Sequence, residues 1–503
     1  MSEARSAASV LAELRARGIE PYPHSYRVSH RAAEILAWGD RVTAEEGEEV
    51  AIAGRLMAKR GHGKAGFAHV LDATGRIQIY GREDGLGPEL YALFDSLSVG
   101  DWVGVKGRVF RTRTGEITVK AQEVTLLAKA LRPMPDTWHG LQDTETRYRQ
   151  RYVDLFMNPE VRETFRRRTR IVATLRRFLD ARGYLEVETP ILQPLYGGAF
   201  ARPFMTHHNA LDTDLYLRIS DELYLKRLIV GGFEKVYEFS RDFRNEGIDR
   251  SHNPEFTILE LYEAYADYED MMSLTEAMLV EAVQEVRGST RIEYQGTALD
   301  FTPPWRRISM LESVSEAAGE DVSDLDPARL ERLCQKFGIQ SDPRAGVGGR
   351  LDDLFSELVQ PKLVQPTFVI DHPKEISPLA KVNRRNPMLV ERFEPFVAGM
   401  EIGNAFSEQT DPVAQDQAFE SQAEARAQGN EEAHPKDLDF LRALQYGMPP
   451  TGGLGIGLDR FTMIVTDSRS IRDVILFPQL RPEEMRESEE AAGDSTEDLP
   501  APA

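Results

Sequence analysis

The sequence predicts an α+β protein, in which a small five-stranded barrel precedes a larger domain built on an antiparallel sheet flanked by helices. Three observations support this prediction. Five short alternating runs separated by glycine turns lie within residues 50–127, and one long amphipathic helix is expected at 161–182. Beyond that helix, strands and helices alternate irregularly, with two strand–loop–strand patterns, and do not form the repeating βαβ series of a parallel sheet.

Composition and charge narrow the class of protein. The chain has 503 residues, of which 41% are hydrophobic and 28% charged, a net charge of -21 and a single cysteine, Cys334. One cysteine excludes an internal disulfide framework and multi-cysteine metal sites. No run approaches the roughly 18 apolar residues that cross a bilayer, and the first residues lack the apolar core of a signal peptide. We therefore expect a cytoplasmic enzyme with no membrane partner.

The chain is expected to divide into five segments. We predict an N-terminal segment of surface helices at 1–49, a barrel at 50–130, a linker at 131–150, the larger domain at 151–482 and a disordered tail at 483–503. The tail carries eight acidic residues and one arginine. Such a composition cannot bury enough apolar surface to fold.

The barrel strands are expected at 50–58, 65–72, 76–80, 102–110 and 116–127. The OB-fold is the commonest five-stranded barrel of this kind. Phe67 and His69 share one alternating face, and the module is rich in lysine and arginine, which is the equipment of a platform for single-stranded RNA. A barrel with a solvated basic edge and Phe67 in its core explains the same pattern, and composition does not separate the two.

Nucleotide binding in this chain would depend on arginines and carboxylate-bound metal. Residues 61–65 lack the spacing of a phosphate-binding loop, and residues 453–457 lack the glycine spacing of a dinucleotide-binding turn. Arg244 ends a strand whose other polar residues alternate with aromatic ones, and the following strand places Phe256, Glu260 and Tyr262 on one face. The alternative to a ligand-binding strand is an edge strand whose polar face is exposed to solvent.

A hairpin is predicted at residues 392–404. If Ala398 and Gly399 form a two-residue turn, residue 396 pairs with 401 and residue 394 with 403, so that Glu394 and Glu401 become diagonal neighbours on one face. Two carboxylates that close repel each other unless a cation lies between them, and Mg²⁺ with ATP phosphates satisfies that need. Two solvated glutamates on a hairpin are the alternative.

A third segment, 452–460, is a glycine-rich turn that ends in Asp459 and Arg460 before an apolar helix.

These segments, in this order, resemble the class II aminoacyl-tRNA synthetases. GYLEVETP at 183–190, FRNE at 243–246 and GIGLDR at 455–460 are similar to the three motifs of that class. The barrel narrows the resemblance to the Asp/Asn/Lys subgroup. ELYLK at 222–226, NEGI at 245–248, HNPEFT at 252–257 and EIGN at 401–404 are similar to the bacterial lysyl-tRNA synthetases. The resemblance covers roughly residues 15–482.

The resemblance implies an activity and a set of site residues. It implies that L-lysine is activated with ATP and then transferred to tRNA(Lys), that Mg²⁺ is the cofactor, and that the protein is a homodimer. The implied catalytic residues are Arg244 and Arg460. The implied ATP-binding residues are Arg244, Glu246, His252, Asn253, Phe256, Glu394, Gly455 and Arg460. The implied lysine-binding residues are Gly198, Glu222, Arg244, Glu260, Tyr262, Asn404 and Glu408. Glu394 and Glu401 are the implied metal ligands, and Arg60, Phe67 and Gln78 the implied anticodon-binding residues.

Two other functions compete with this one. A synthetase paralogue that lysylates a protein would lack the barrel expected at 50–130. A non-catalytic RNA-binding relative would be expected to have lost Arg244, Glu394, Glu401 or Arg460, and all four are present. Both alternatives are therefore disfavoured by the sequence.

Overall fold

The computed structural model describes residues 7–135, 141–342, 346–427 and 435–482. The chain forms two compact units, and the boundary between them falls between Gln142 and Asp143. The predicted tail at 483–503 and part of the predicted linker, 136–140, lie outside the described residues.

The first unit contains the predicted barrel. Its helices are α1 (Ala7–Ala16), α2 (Ala32–Leu36), α3 (Glu83–Leu86) and α4 (Pro88–Ser96), and its strands are β1 (Glu49–His62), β2 (Ala65–Leu71), β3 (Arg76–Arg82), β4 (Trp102–Arg111) and β5 (Ile117–Ala128). The strands close in the order β1-β2-β3-β5-β4, with β4 paired back to β1. The predicted five-stranded OB-fold barrel is confirmed.

The helices of this unit contribute to the barrel core. Leu14 of α1 and Ile35 of α2 are buried in the same cluster as Val50, Ile52 and Val105 of the barrel strands. The expectation of surface helices therefore captures only their outer faces, because the inner residues cover an end of the core. Helices α3 and α4, inserted between β3 and β4, were not predicted; Phe94 of α4 is also part of the core.

The second unit is larger and more irregular. Its helices are α5 (Thr144–Arg149), α6 (Arg151–Met157), α7 (Pro159–Asp180), α8 (Glu222–Val230), α9 (Tyr268–Arg287), α10 (Met310–Ala318), α11 (Pro327–Phe337), α12 (Val347–Leu358), α13 (Pro412–Ala427), α14 (Leu438–Gln445), α15 (Leu458–Thr466) and α16 (Ile471–Val474). Its strands are β6 (Leu185–Glu186), β7 (Leu192–Gln193), β8 (Met205–His208), β9 (Thr213–Leu217), β10 (Lys235–Phe243), β11 (Glu255–Ala264), β12 (Arg291–Tyr294), β13 (Thr297–Asp300), β14 (Arg306–Ser309), β15 (Thr367–Ile370), β16 (Arg392–Val397), β17 (Met400–Glu401), β18 (Gly403–Ser407) and β19 (Thr451–Gly457). None of the helices in the described ranges is long and apolar enough to cross a membrane.

One sheet organises this unit, in the order β14-β15-β16-β18-β19-β11-β10-β6, with β17 paired to β16. Its centre is antiparallel, as predicted, but the outermost pairs at both edges, β14/β15 and β10/β6, are parallel. The sheet is therefore mixed, and the α+β class holds because the helices are not interleaved with parallel strands.

Helices α7 and α9 pack on one face of the sheet, whereas the opposite face borders the cavity and is covered in part by α8 and α14. Leu175 and Leu179 of α7 pack with Leu259 and Leu261 of β11 and with several residues of α9 in the main core. Because side chains alternate along a strand, Glu260 and Tyr262 of β11 point to the opposite face. The helix predicted at 161–182 thus spans Pro159–Asp180. It buries an apolar face with the helical period of 3.6 residues, which includes Val161, Leu175 and Leu179.

Candidate active site

One cavity of about 340 Å³ collects the residues implied for ATP, lysine and metal binding. Its walls include Gly198, Glu222, Arg244, Glu246, His252, Asn253, Phe256, Glu260, Tyr262, Glu394, Glu401, Asn404, Glu408, Gly455 and Arg460. These residues come from β11, β16, β17, β18, β19, α8, α15 and the intervening loops, so the fold assembles positions far apart in sequence.

The two strands of the second motif lie in the sheet interior. In β10 the polar residues Glu238, Ser240 and Asp242 are buried, so the alternative of a wet edge strand is wrong. Their burial is compensated by Arg218, whose Nη1 is 2.7 Å from Glu238 Oε1 and whose Nε is 3.2 Å from Asp242 Oδ1. Arg244, just beyond the end of β10, reaches the cavity and places its guanidinium 4.9 Å from the ring centre of Phe256.

One end of the cavity is anionic and buried. Glu222, Glu260 and Glu408 all line it and are at most 6% exposed. Tyr262 Oη donates to Glu260 Oε2 (3.1 Å) and Ser220 Oγ donates to Glu260 Oε1 (3.2 Å). Such a wall favours a cationic ligand.

Two glycines leave room for these carboxylates. A Cβ on Gly453 would lie 2.0 Å from Glu408 Oε1 and 2.6 Å from Tyr262 Cε1. Gly198 has φ +90°, and a Cβ there would lie 2.7 Å from Ser220 Oγ. Both positions therefore require glycine, the second for its backbone conformation as well as for space.

A second group of carboxyls packs against Glu260. Oxygens of Asp221, Asp242 and Glu260 all lie within 4.8 Å of one another, and all three residues are buried. Burial, reinforced by the neighbouring carboxylates Glu222 and Asp242, raises the pKa of Glu260 to about 8. Burial likewise raises the pKa of Asp242 to about 6, although Arg218 and Arg244 oppose the shift. Because buried like charges cannot all ionise, this group retains a proton at neutral pH.

The hairpin at 392–404 forms with one difference from the prediction. Phe396 pairs with Glu401 across the predicted turn at Ala398 and Gly399. The register then shifts by one, so that Phe393 pairs with Ala405, and Ile402 N donates to Pro395 O. The predicted pairing of 394 with 403 is therefore wrong by one residue, because a bulge at Ile402 interrupts the ladder.

Arg392 organises the hairpin face that borders the cavity. Its guanidinium pairs with Glu394, its Nε donates to Asn404 Oδ1 (2.8 Å), and its Nη1 donates to Ser377 Oγ (2.8 Å). Because Arg392 takes the amide oxygen of Asn404, the amide nitrogen is the group that can donate into the cavity. Burial and the charge of Glu394 raise the pKa of Glu401, against the opposing effect of Arg460.

The opposite end of the cavity is more open and is built from the loop after β10. Arg460 Nη1 donates to Glu401 O (2.9 Å), and its Nη2 lies 3.0 Å from His252 Nε2. His252 Nδ1 is 2.8 Å from Asp249 Oδ2. Since a guanidinium only donates, Nε2 accepts from Arg460 and the ring proton lies on Nδ1, facing Asp249.

Asp459 joins this end of the cavity to the rest of the second unit. Its Oδ2 accepts from Thr257 N (2.7 Å), and its Oδ1 pairs with Arg168 of α7. Arg168 is only 17% exposed, so this arginine of α7 pairs with a buried aspartate and does not face solvent.

The residues implied for anticodon binding lie together on the barrel. Arg60 pairs with Phe67 across β1 and β2, and its guanidinium is 5.8 Å from the Phe67 ring centre. Phe67 is half-buried on the outer face, 4.7 Å from the ring centre of Tyr80, so it is not a core residue. Gln78 is buried and donates to Glu116 Oε2 (2.7 Å), while Glu116 Oε1 contacts His69.

Sequence reasoning missed several residues of the site. Arg392, Asp221 and Lys226 were not singled out, and Lys226 contacts both Glu222 and Glu408. Lys226 had a detectable signal, since it follows Glu222 by four residues on a helix, which is the spacing of an ion pair. Arg392 had a weaker signal, since Glu394 follows it by two residues on the same face of a strand. Asp221 had none, because its close neighbours are other acids.

Comparisons with known proteins match both units. A family described as "tRNA synthetases class II (D, K and N)" matches residues 143–481, and one described as "OB-fold nucleic acid binding domain" matches residues 50–127. A curated relative from Carboxydothermus hydrogenoformans, named lysine–tRNA ligase, is 56% identical over 94% of this chain and 96% of its own. Relatives of the same name from Pelotomaculum thermopropionicum (57% identical, 94% of each chain) and Bacillus subtilis (51% identical, 93% of this chain and 95% of its own) agree. The chain belongs to the lysine–tRNA ligase family of class II synthetases.

Proposed function

We propose that this protein ligates L-lysine to tRNA(Lys) at the expense of ATP. The observation that carries the proposal is the arrangement of charge in one cavity: three buried carboxyls at one end, Arg244 at its middle, and two glutamates with Arg460 beside the open loop. A cationic amino acid fits the first end and a triphosphate fits the second. Arg244 would lie where the amino acid carboxylate meets the α-phosphate.

The lysine subsite would be formed by the buried end. Glu222 and the backbone at Gly198 would receive the α-ammonium, and Glu408 and Tyr262 the ε-ammonium, with Glu260 nearby. Asn404, whose amide nitrogen is free of Arg392, would donate to the carboxylate together with Arg244.

The ATP subsite would be formed by the open end. Phe256 would stack on adenine, and the 4.9 Å contact of Arg244 with the same ring places the two groups side by side. Glu246, His252, Asn253 and Gly455 would hold the nucleotide, and Arg460 the γ-phosphate.

Glu394 and Glu401 fit a magnesium ion. Their carboxylate oxygens are the donors that Mg²⁺ prefers, they border the same cavity, and the Glu394 charge raises the pKa of Glu401. A divalent cation would relieve that repulsion and neutralise charge on the triphosphate.

The chemistry needs no side-chain nucleophile. An oxygen of the lysine carboxylate bonds to the α-phosphorus, the bond from that phosphorus to its bridging oxygen breaks, and pyrophosphate leaves with the electron pair. A hydroxyl of the terminal tRNA ribose then bonds to the lysyl carbonyl carbon, and the bond from that carbon to the phosphate oxygen breaks. AMP leaves with the electron pair, and its phosphate can accept the hydroxyl proton. Arg244 would donate to the α-phosphate as charge develops. Positioning of lysine and ATP against each other would supply much of the remaining rate acceleration.

The barrel would read the anticodon through Arg60, Phe67 and Gln78. Phe67 has an exposed part on which a base can stack, and Arg60 is poised over the same ring for phosphate. Gln78 would have to exchange its bond to Glu116 for one to a base. Phe67→Ala would raise the KM for tRNA about tenfold, since stacking on an aromatic ring contributes about 1–3 kcal/mol per base. ATP–pyrophosphate exchange without tRNA, as the control, would be unchanged.

We further place the protein in the cytoplasm as a homodimer. The edge of the sheet at β6 exposes Leu185, and Ile191 and Leu192 near it are also exposed. A second copy covering these side chains explains their exposure. Light scattering of the wild type and of Leu192→Glu would test the assembly, and a monomeric wild type would contradict it.

The activity is tested by ATP–pyrophosphate exchange with each amino acid in turn. Exchange with lysine is expected, whereas exchange with aspartate or asparagine and not with lysine would overturn the specificity. Transfer of labelled lysine to tRNA, and not to protein, separates this function from that of a protein-lysylating paralogue. Absence of any exchange would favour a non-catalytic RNA-binding protein.

A further inference from the structure

Lys226 joins the two carboxylates that border the anionic end of the cavity. It follows Glu222 by one helical turn in α8, and its ammonium forms ion pairs with both Glu222 Oε1 and Glu408 Oε2. Its side chain is 0% exposed and lies behind the cavity wall. The ammonium is also 5.2 Å from the ring centre of Phe406 and 6.0 Å from those of Tyr262 and Phe440. An aromatic box of this kind holds a charged ammonium.

Lys226 stays charged in this environment. Burial alone would lower its pKa, but the two carboxylates outweigh burial and the pKa is raised. The groups that face it are Glu222 on its own helix, Glu408 beyond β18, and Tyr262 of β11, with Glu260 close to Glu408. The acids on the α14 side, Asp437 and Asp439, pair with Arg227 instead.

The charge balance of the pocket depends on this lysine. Glu222, Glu260 and Glu408 supply three negative charges when ionised, and Lys226 cancels one of them. Glu260 holds a proton in the free protein, so one negative charge remains there; a second appears when an arriving ammonium favours ionised Glu260, and free lysine carries two ammonium groups. Buried carboxylates held by an ion pair also keep a fixed orientation, so that the second oxygen of each can meet the ligand.

We propose that Lys226 is a positioning and specificity-determining residue of the amino-acid pocket, which holds Glu222 and Glu408 in place and sets the pocket charge to match a diamino acid. The inference rests on the proposed lysine activation. It assigns Lys226 no contact with substrate, since its action passes through the two glutamates.

The test compares Lys226→Met with Arg227→Met in ATP–pyrophosphate exchange. Arg227 lies next to Lys226 in α8 and also forms ion pairs, but it faces Asp437 and Asp439 rather than the pocket. Lys226→Met should raise the KM for lysine about tenfold or more and leave the KM for ATP within about threefold, because Glu222 and Glu408 lose the cation that orients them. Arg227→Met should leave both KM values within about threefold.

A pH profile distinguishes positioning from a purely structural role. Lys226 lowers the pKa of Glu408, which burial, Glu222 and Glu260 raise. In Lys226→Met the pH at which the KM for lysine levels off should therefore rise relative to wild type. Loss of stability alone would not shift that pH.

Each result decides the proposal. An unchanged KM for lysine, or equal increases for lysine and ATP, would overturn it. Lys226→Gln, which keeps a polar end group, serves as a second variant. If neither Lys226→Met nor Lys226→Gln can be recovered folded with lysine and ATP present, Lys226 is required for folding and the proposal is wrong. Wild-type exchange that fails with lysine would instead overturn the proposed function.

Discussion

The two ends of the cavity are built in different ways. At the amino-acid end, Glu222 and Glu408 are buried and already held by Lys226, with Gly453 leaving space for Glu408. At the nucleotide end, His252 is 47% and Asp249 59% exposed, on a loop whose polar groups bond to each other and to Arg460. The first end is arranged before ligand binds, whereas the second must exchange internal contacts for ligand contacts. Substitutions should therefore affect the two ends separately.

The largest effect is expected where the two ends meet. Arg244→Ala should lower kcat/KM about 1000-fold for both lysine and ATP, because Arg244 is proposed to contact both and one lost donor to developing charge costs about 100- to 1000-fold. Steady-state exchange kinetics measure this loss. Arg241→Ala, three residues earlier in β10 but exposed and bonded to Thr257, is the matched control and should be nearly wild type. A loss confined to one substrate would contradict the shared role.

A change that removes one charge at constant volume, made at each end in turn, should separate the effects on lysine from those on ATP. Glu408→Gln should raise the KM for lysine about 100-fold and that for ATP less than threefold, since it removes one charged partner of an ammonium without changing volume. Glu246→Gln, on the exposed loop, should affect ATP and leave lysine unchanged. Exchange assays with one substrate varied at a time give both values. Equal changes for the two substrates would show that the ends are not independent.

The pH dependence of lysine binding should sharpen the comparison. Glu260 has a pKa of about 8 in the free protein, so it is protonated below that pH, and an arriving ammonium favours its ionised form. The lysine Kd should therefore fall about tenfold per pH unit as pH rises toward about 8 and then level off. Calorimetry in buffers of different ionisation enthalpy should detect proton release on lysine binding. Glu260→Gln should reduce this slope and leave the part that Glu408 contributes, and an unchanged slope would assign the proton elsewhere.

The smallest effect is expected within the loop at the nucleotide end. Asp249 accepts from His252 and from the backbone of Ser251, and these contacts outweigh burial and lower its pKa to about 2. Asp249→Asn should raise the KM for ATP about three- to tenfold by weakening the orientation of His252. The KM for lysine, measured in the same assays, should not change. A tenfold effect on lysine would show that the loop supports both ends.

Sequence patterns predicted those parts of the molecule that depend on local alternation. The barrel strands, the face of β11 that carries Glu260 and Tyr262, and the turn at Ala398 follow from period-two patterning. The bulge at Ile402 could not be predicted in this way, because one extra residue changes the register without altering the composition. The burial of the polar face of β10 depends on Arg218, a partner that the local pattern does not reveal.

The space at Gly453 has a consequence for engineering this protein toward other amino acids. Any side chain there would collide with Glu408 and Tyr262, so variation at this position reshapes the charged wall rather than the ligand volume. Libraries intended to accept longer or methylated diamines should therefore hold the glycine fixed and diversify the aromatic neighbours.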